Sequence, residues 1–393
     1  MLLVKRSNVH EWILVCAAVL HSGYALLTVY PNQMLVIVFA LMMTALLKLK
    51  RLEYNLPILC FLITIMVVSL FSGIYNESNV LSSIKLMLVV FLSFLFVNVI
   101  DYKRFVRLYV GLMLFLSIVS LFFYVLVNVA NFNLSTAFPI VTNVNDMSYY
   151  NAYLNFMFAS PYMKYRNTSI FWEPGIFSSY LVIAMLIVKH GCFRREKLIM
   201  AIFMLTILSA YSTAGYVLLI FSIVAIYSHS MKRQLSIVLL FCIILPLGFY
   251  FENEVINFLR VYFPEVISKF FVTESASIID RIQSPLLNLQ AFSISPIFGN
   301  GIYSVDEMYA QASGFAQTST STLYLASFGC FGLTYTALLF HGTWLNDQFK
   351  TSNILLFIIV FIILNKEPHM FFILTYIILF YWSLESSRGR REA

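Results

Sequence analysis

Apolar runs of about 18 residues or more recur from one end of this chain to the other, and each is long enough to cross a bilayer as a helix. These runs constrain the fold before anything else does. Inside hydrocarbon every backbone N–H and C=O must be satisfied by the segment itself, which leaves helices as the economical answer. Composition agrees. Of 393 residues 61% are hydrophobic and 11% charged, with a mean hydropathy of +0.86, whereas a soluble domain carries roughly 25% charge. Phe occurs 38 times, which suits a lipid-facing surface. The expected fold class is therefore all-α: a polytopic integral membrane protein forming one membrane-embedded unit over residues 1–393. The first run, Trp12 to Tyr30, lacks a small-residue cleavage site and is followed at once by another, so it reads as a retained helix and not a signal peptide.

Charge threads these runs through the bilayer. The expected spans lie near 11–30, 33–47, 56–74, 84–100, 106–130, 173–190, 198–211, 214–229, 235–251, 319–342, 352–365 and 368–384. Lys and Arg concentrate in alternate connections: Lys5/Arg6, Lys48/Lys50/Arg51, Lys103/Arg104/Arg107, Lys189/Arg194/Arg195/Lys197, Lys232/Arg233, Lys350 and Arg388/Arg390/Arg391. By the positive-inside rule those connections are cytoplasmic, which about 12 spans with both termini inside satisfies. The net charge of +7 is then a topology signal and gives no reason to invoke nucleic acid. Spans seven and eight are short and meet at "LSAYSTAGY" (208–216), as one broken hairpin would. No convincing repeat relates residues 1–190 to 200–384.

Two connections on the outer side, 131–172 and 252–318, are far longer than a turn needs, and long loops in compact architectures are usually functional or disordered. They hold amphipathic stretches such as "PEVISKFF" and "IIDRIQSPLLNLQAF", expected as short helices at the membrane surface. The outer cations are Lys164, Arg166, Arg260, Lys269, Arg281 and Lys366. Arg260, Lys269 and Lys366 read as snorkelling or loop-surface cations, and Lys85 as a residue at a span boundary. Arg166 and Arg281 lie beside distinctive local patterns, and a guanidinium fork matches phosphate oxygens. A structural salt bridge, for instance among Asp280, Arg281 and their neighbours, is the other reading. Glu173 precedes Pro174, a favoured first helical residue. It either balances the helix dipole or acts as a general base or hydroxyl-orienting carboxylate. The five cysteines form no CxxC pair and the six histidines are scattered, so no metal site is indicated.

The segment "RNTSIFWEPGIFSSYL", Arg166 to Leu181, resembles the R…G-x-F-x-E-P-G stretch of Wzy-type O-antigen and exopolysaccharide polymerases. "RIQSPLLNLQAFSISPIFGNGI", Arg281 to Ile302, is similar to the Arg…Pro-x-x-G-x-G stretch of the same polymerase/ligase superfamily. "STSTLYLASFGCFGL", 319–333, resembles the helix that follows it, and "LSAYSTAGY" the Ser/Thr-rich break between two short spans. The matches organise the second half of the chain in the family's order, while spans one to five match only in hydropathy.

This resemblance implies a metal-independent, cofactor-free glycosyltransferase of the GT-C type in a bacterial inner membrane. It would join oligosaccharide units carried on undecaprenyl diphosphate at the outer face, with membrane lipid around it and a chain-length regulator and a flippase as candidate partners. Arg166 and Arg281 would hold the departing diphosphate, with Glu173 as base or acceptor-orienting group. Lys164, Gly299, Asn300, Gly301, Tyr303 and Tyr324 would line the substrate. The ligase branch typically has a histidine in the large outer loop; residues 252–318 have none, which favours a polymerase over a ligase. A lipid-linked oligosaccharide flippase or other transporter is the alternative from a different class.

Overall fold

The computed structural model describes residues 9–47, 55–75, 80–143, 146–160, 163, 165–190, 193–227, 236, 274–312, 317–344, 353–367 and 369–392. This chain is mostly helical. Among the described residues four segments are long and apolar enough to cross a membrane: α4 (Leu56–Tyr75), α5 (Val80–Val99), α6 (Tyr102–Asn128) and the stretch Thr320–Thr343. The last comprises α12 (Thr320–Phe328), a 3-10 turn and α13 (Leu333–Thr343). Shorter apolar helices accompany them: α1 (Val9–His21), α3 (Pro31–Leu46), α7 (Pro174–His190), α8 (Glu196–Ser209), α9 (Thr213–Tyr227), α14 (Asn353–Leu364) and α15 (Ile373–Glu392). The expected span 235–251, apart from residue 236, and the stretch 264–271 lie outside the described residues.

The first apolar run is not one helix. It breaks after α1, and a short α2 (Ala25–Val29) follows. At the break Gly23 has φ +134°, and a β-carbon there would come within 3.0 Å of Phe171 and Ile176. The freed backbone groups find partners in a distant segment: Trp172 N–H donates to Gly23 O (2.9 Å) and Ala25 N–H donates to Ile170 O (2.9 Å). Irregular backbone at membrane depth is stable when it is enclosed by protein in this way. Local hydropathy carries no trace of that pairing.

The hairpin expected at "LSAYSTAGY" is present. Helix α8 ends at Ser209, Tyr211 takes φ +48°, and α9 begins at Thr213. The first long connection departs from the expectation of helices alone. It folds as a three-stranded antiparallel sheet, β1 (Ile140–Thr142), β2 (Ser148–Asn151) and β3 (Phe156–Phe158), in the order β1-β2-β3. Tyr149 faces Phe158 and Val141, so aromatic and β-branched cross-strand pairs set the register. The second long connection contains α10 (Glu274–Ile294) and α11 (Ile302–Gln311).

Helix α7 is the axis of the bundle. Every residue from Pro174 to Val188 is buried, as expected of a helix that is apolar all round. In α15 the run Tyr376 to Trp382 is likewise buried. By contrast α6 presents Phe115, Ile118 and Phe122 outward, a lipid-facing pattern.

Long-range contacts sort into two sets along the bundle axis. One joins residues near the Lys/Arg-rich connections: Arg104 with Glu11 (2.6 Å), Asn55 with Ser383 O (2.7 Å), and Tyr381 with Ile100 O (2.6 Å). The other joins residues near the Lys/Arg-poor connections: Gly23 with Trp172, Asn167 with Ser209, Ser212 with Lys366, and Thr320 with Glu367. No hydrogen bond among those named here crosses between the sets, and each helix that joins them runs from one set to the other.

Candidate functional site

The site is built on the segment 166–175. Asn167 fixes its start. Its side-chain amide donates to Ser120 Oγ on α6 (3.1 Å) and to Ser209 Oγ at the end of α8 (2.9 Å), while its backbone N–H donates to Ser209 O (3.1 Å). Thr168 Oγ1 donates to Phe156 O (2.6 Å), and Phe156 N–H donates to Ser169 O (2.6 Å), tying the segment to β3. Ser169 takes φ +53°, and its N–H donates to Asn167 Oδ1 (3.2 Å). Each polar residue of "RNTS" after the arginine is thus spent on holding the backbone.

Arg166 leads this anchored segment. It is half-buried, and its Nε is enclosed with no hydrogen-bond partner among the described residues. A buried donor left unpaired costs about 1–3 kcal/mol, so the position favours an acceptor. Glu173 is also half-buried. Tyr149 on β2 donates its hydroxyl to Trp172 O (2.9 Å) beside it, and burial together with the Glu173 charge raises the Tyr149 phenol above its ordinary range.

Directly beneath the Glu173–Pro174–Gly175 turn lies Lys366. A β-carbon on Gly175 would coincide with the Lys366 ammonium. Lys366 is 4% exposed, donates to Ser212 Oγ at the start of α9 (3.4 Å), and faces the carboxylate of Glu367 at 3.9 Å. The surface-cation reading of Lys366 is therefore corrected. Nothing in the local sequence "NKEPHM" announces burial, because the groups that enclose it come from α7 and α9.

The segment 365–369 also caps α12. Asn365 Oδ1 accepts from Ser321 N–H (3.0 Å) and from Ser319 Oγ (2.8 Å), and Thr320 Oγ1 donates to Glu367 O (3.1 Å). Ser212 Oγ accepts from Gly215 N–H (3.3 Å) in the first turn of α9. The starts of α7, α9 and α12 thus all contact the Lys366–Glu367 pair or the residues beside it. Helix starts present partial positive charge, so this corner of the bundle combines three such ends with the buried Lys366 ammonium and the Glu367 carboxylate that faces it. Its chemistry suits an anion.

The remaining expected residues fall differently. Arg281 lies on α10, with its side chain outside the described residues, and Lys164, Arg260 and Lys269 are also outside them. Gly299 (φ +73°) and Gly301 (φ +79°) close the chain onto α12. A β-carbon on Gly299 would overlap the backbone of Ser327 and Phe328, and Gly301 N–H donates to Ser327 O (3.0 Å). Asn300 is buried, and its amide donates to Ala291 O (2.6 Å) and Ala326 O (3.2 Å). Packing accounts for this "GNG" without a sugar. Tyr324 is a correction: it is fully buried, its ring stacked on Tyr335 at 4.3 Å and its hydroxyl on that of Tyr376, so it presents no face to a ligand. Tyr303 is exposed on the first turn of α11, where hydrogen bonding to Glu307 raises its phenol above the usual range.

Compared with known protein families and with characterised proteins, the chain matches none of them.

Proposed function

We propose that this protein is a polysaccharide polymerase of the bacterial inner membrane. It joins oligosaccharide units carried on undecaprenyl diphosphate at the outer face. About 12 spans with both termini cytoplasmic are the topology that goes with this reading, and the separation of contacts into a Lys/Arg-rich and a Lys/Arg-poor set supports it. The motif resemblance of the second half of the chain supplies the reaction class.

In this reading a hydroxyl on the terminal sugar of one unit attacks the anomeric carbon of the growing chain on a second carrier. The new C–O glycosidic bond forms as the C–O bond to the diphosphate breaks. Glu173 takes the hydroxyl proton, and undecaprenyl diphosphate leaves with the bonding electrons. Arg166, with Arg281 from the second outer connection and Lys366 from below, stabilises the negative charge that develops on the leaving group. No metal enters the step. The observation that carries the proposal is the enclosed Nε of Arg166, unpaired among the described residues, on the anchored segment that leads into α7.

The test is a gel of surface and lipid-linked polysaccharide from a strain lacking the protein, complemented with wild type, Arg166→Ala, Glu173→Ala, Arg281→Ala and Lys366→Met at matched protein levels. The expected result is loss of the ladder while single units still reach the surface, with Arg166→Ala unable to restore it. Full-length polymer stranded on its carrier would replace the reading with a ligase, and single units trapped inside would replace it with a flippase. Normal ladders from both Arg166→Ala and Arg281→Ala would overturn the proposed site.

A further inference from the structure

A second site has Trp172 in its wall. A cavity of about 140 Å³ is bounded by the α1–α2 break, α3, α5 and the turn before α15, and its lining includes His21, Lys85, Leu35, Trp172, Phe371 and Phe372. One water needs roughly 10–15 Å³ of such space, so the cavity holds a compact polar head but not an oligosaccharide.

One polar group in it, His21, is unexplained by the fold, and one exposed charge, Lys85, lies at its edge. His21 is 5% exposed, and both of its ring nitrogens are buried without a hydrogen-bond partner among the described residues; its ring instead lies 5.3 Å from Phe39. Lys85 is the lone charge on α5. Its ammonium lies 4.9 Å over the Phe371 ring and senses Asp306 on α11 without forming an ion pair. An ionisable residue within an apolar helix marks a functional site more often than a structural one. Snorkelling accounts for a lysine at a helix end, but not for an enclosed imidazole with neither nitrogen bonded. The rest of the wall is aromatic and aliphatic. Beyond it, α3 exposes Val36 and Ile37 and α5 exposes Ile84 and Leu88, a surface fit for hydrocarbon chains.

We propose that this cavity binds the anionic phosphate group of an amphiphile. His21 donates a ring N–H to a phosphate oxygen, Lys85 supplies the countercharge, and the hydrocarbon tail leaves along the exposed faces of α3 and α5. Two sources share this chemistry: a polyprenyl phosphate carrier and an anionic glycerophospholipid of the bilayer. The inference does not depend on polymer formation and is tested without it.

The full-length protein would be reconstituted in phosphatidylcholine nanodiscs doped with either polyprenyl phosphate or phosphatidylglycerol, and retained lipid counted by native mass spectrometry. The expected result is enrichment of at least one anionic lipid. That enrichment should fall about tenfold in His21→Phe and in Lys85→Met, as loss of a charge-assisted hydrogen bond predicts, and survive in Lys85→Arg. The lipid retained identifies the source. Enrichment of neither lipid, or enrichment unchanged in His21→Phe, overturns the proposal. His21→Phe keeps the ring and its packing, so it reads the site even if Lys85→Met does not fold.

Discussion

The Lys366 ammonium rests directly on the α-carbon of Gly175, with no room for a side-chain atom between them. Gly175 is therefore glycine because of what lies under it: its φ is not in the left-handed region, and α7 would otherwise accept alanine readily. Lys366 is 4% exposed and held between Ser212 and Glu367, so it has little freedom to withdraw. Gly175→Ala should destabilise the protein by about 1–3 kcal/mol as an overpacking change. Lys366→Ala removes the obstacle, so the double variant should be more stable than the sum of the singles by about 1–2 kcal/mol. Unfolding of the four proteins in nanodiscs gives the coupling, and simple additivity would refute the contact.

Asn167 predicts a separation of structure from chemistry. Its amide bridges α6 and α8 through Ser120 and Ser209, immediately behind Arg166. Asn167→Ala removes three side-chain hydrogen bonds, including the one from Ser169 N–H, at a cost of about 1–3 kcal/mol. Asn167→Asp keeps the shape and the acceptor for Ser169 N–H, but Ser120 and Ser209 already donate to Ser117 O (3.0 Å) and Thr206 O (2.8 Å), so the new carboxyl meets lone pairs instead of donors. Under the proposed function both variants should shorten or abolish the polymer ladder at normal protein level. A wild-type ladder from either would remove Asn167 as a positioning residue for Arg166.

Gly299 and Gly73 make a matched pair for the second connection. Gly299 has φ +73°, and a β-carbon there meets the backbone of Ser327 and Phe328, which cannot swing aside as a side chain would. Gly73 is helical in α4, and a β-carbon there meets Ser83 Oγ and Val80 Cγ2 at an ordinary 3.6 Å. Gly299→Ala should cost about 3 kcal/mol or more through combined strain and overlap. Gly73→Ala should be neutral or stabilising by up to ~1 kcal/mol. Thermal unfolding in nanodiscs distinguishes these outcomes. A well-folded Gly299→Ala that fails only in polymer formation would instead favour direct contact with the sugar chain.

Hydropathy and charge made the helical class, most helix positions and the two long connections legible in the sequence. They also singled out Arg166 and Glu173, since a cation and a carboxylate before a Pro-Gly helix start stand out against an apolar background. What they missed depends on contacts between distant segments. Lys366 reads as a surface cation because its enclosure comes from Gly175 and Ser212, far away in the chain. The break at Gly23 is invisible because its backbone partners are residues 170 and 172, far away in the chain. Tyr324 offered an aromatic ring near a familiar pattern, but hydropathy cannot tell a buried tyrosine from a displayed one. The sheet at 140–158 was hidden because its strands are only three or four residues long, too short for alternation to register. His21 carried one usable signal, a histidine within an apolar run.

Asp306 gives the pH prediction. Although the residue reaches the surface, enough protein surrounds its carboxyl to raise its pKa from 3.8 to about 6, against the opposing pull of Lys85 across the gap to α5. The other charged group beside it on α11 is Glu307, already engaged by Tyr303. A carboxyl with a raised folded-state pKa binds its proton more tightly in the native protein, so its contribution favours folding in acid. That contribution should be present below about pH 4, decline as pH rises towards 6, and then stay level. Asp306→Asn removes the dependence. The variant should therefore match wild type near pH 4, gain relative stability up to pH 6, and keep a constant advantage above it. Lys85→Met should push the transition to higher pH, because the charge that favours ionisation is gone. Unfolding midpoints of the three proteins from pH 4 to 8 would check both shifts, and a difference between wild type and Asp306→Asn that does not vary with pH would show that the carboxyl is not crowded as described.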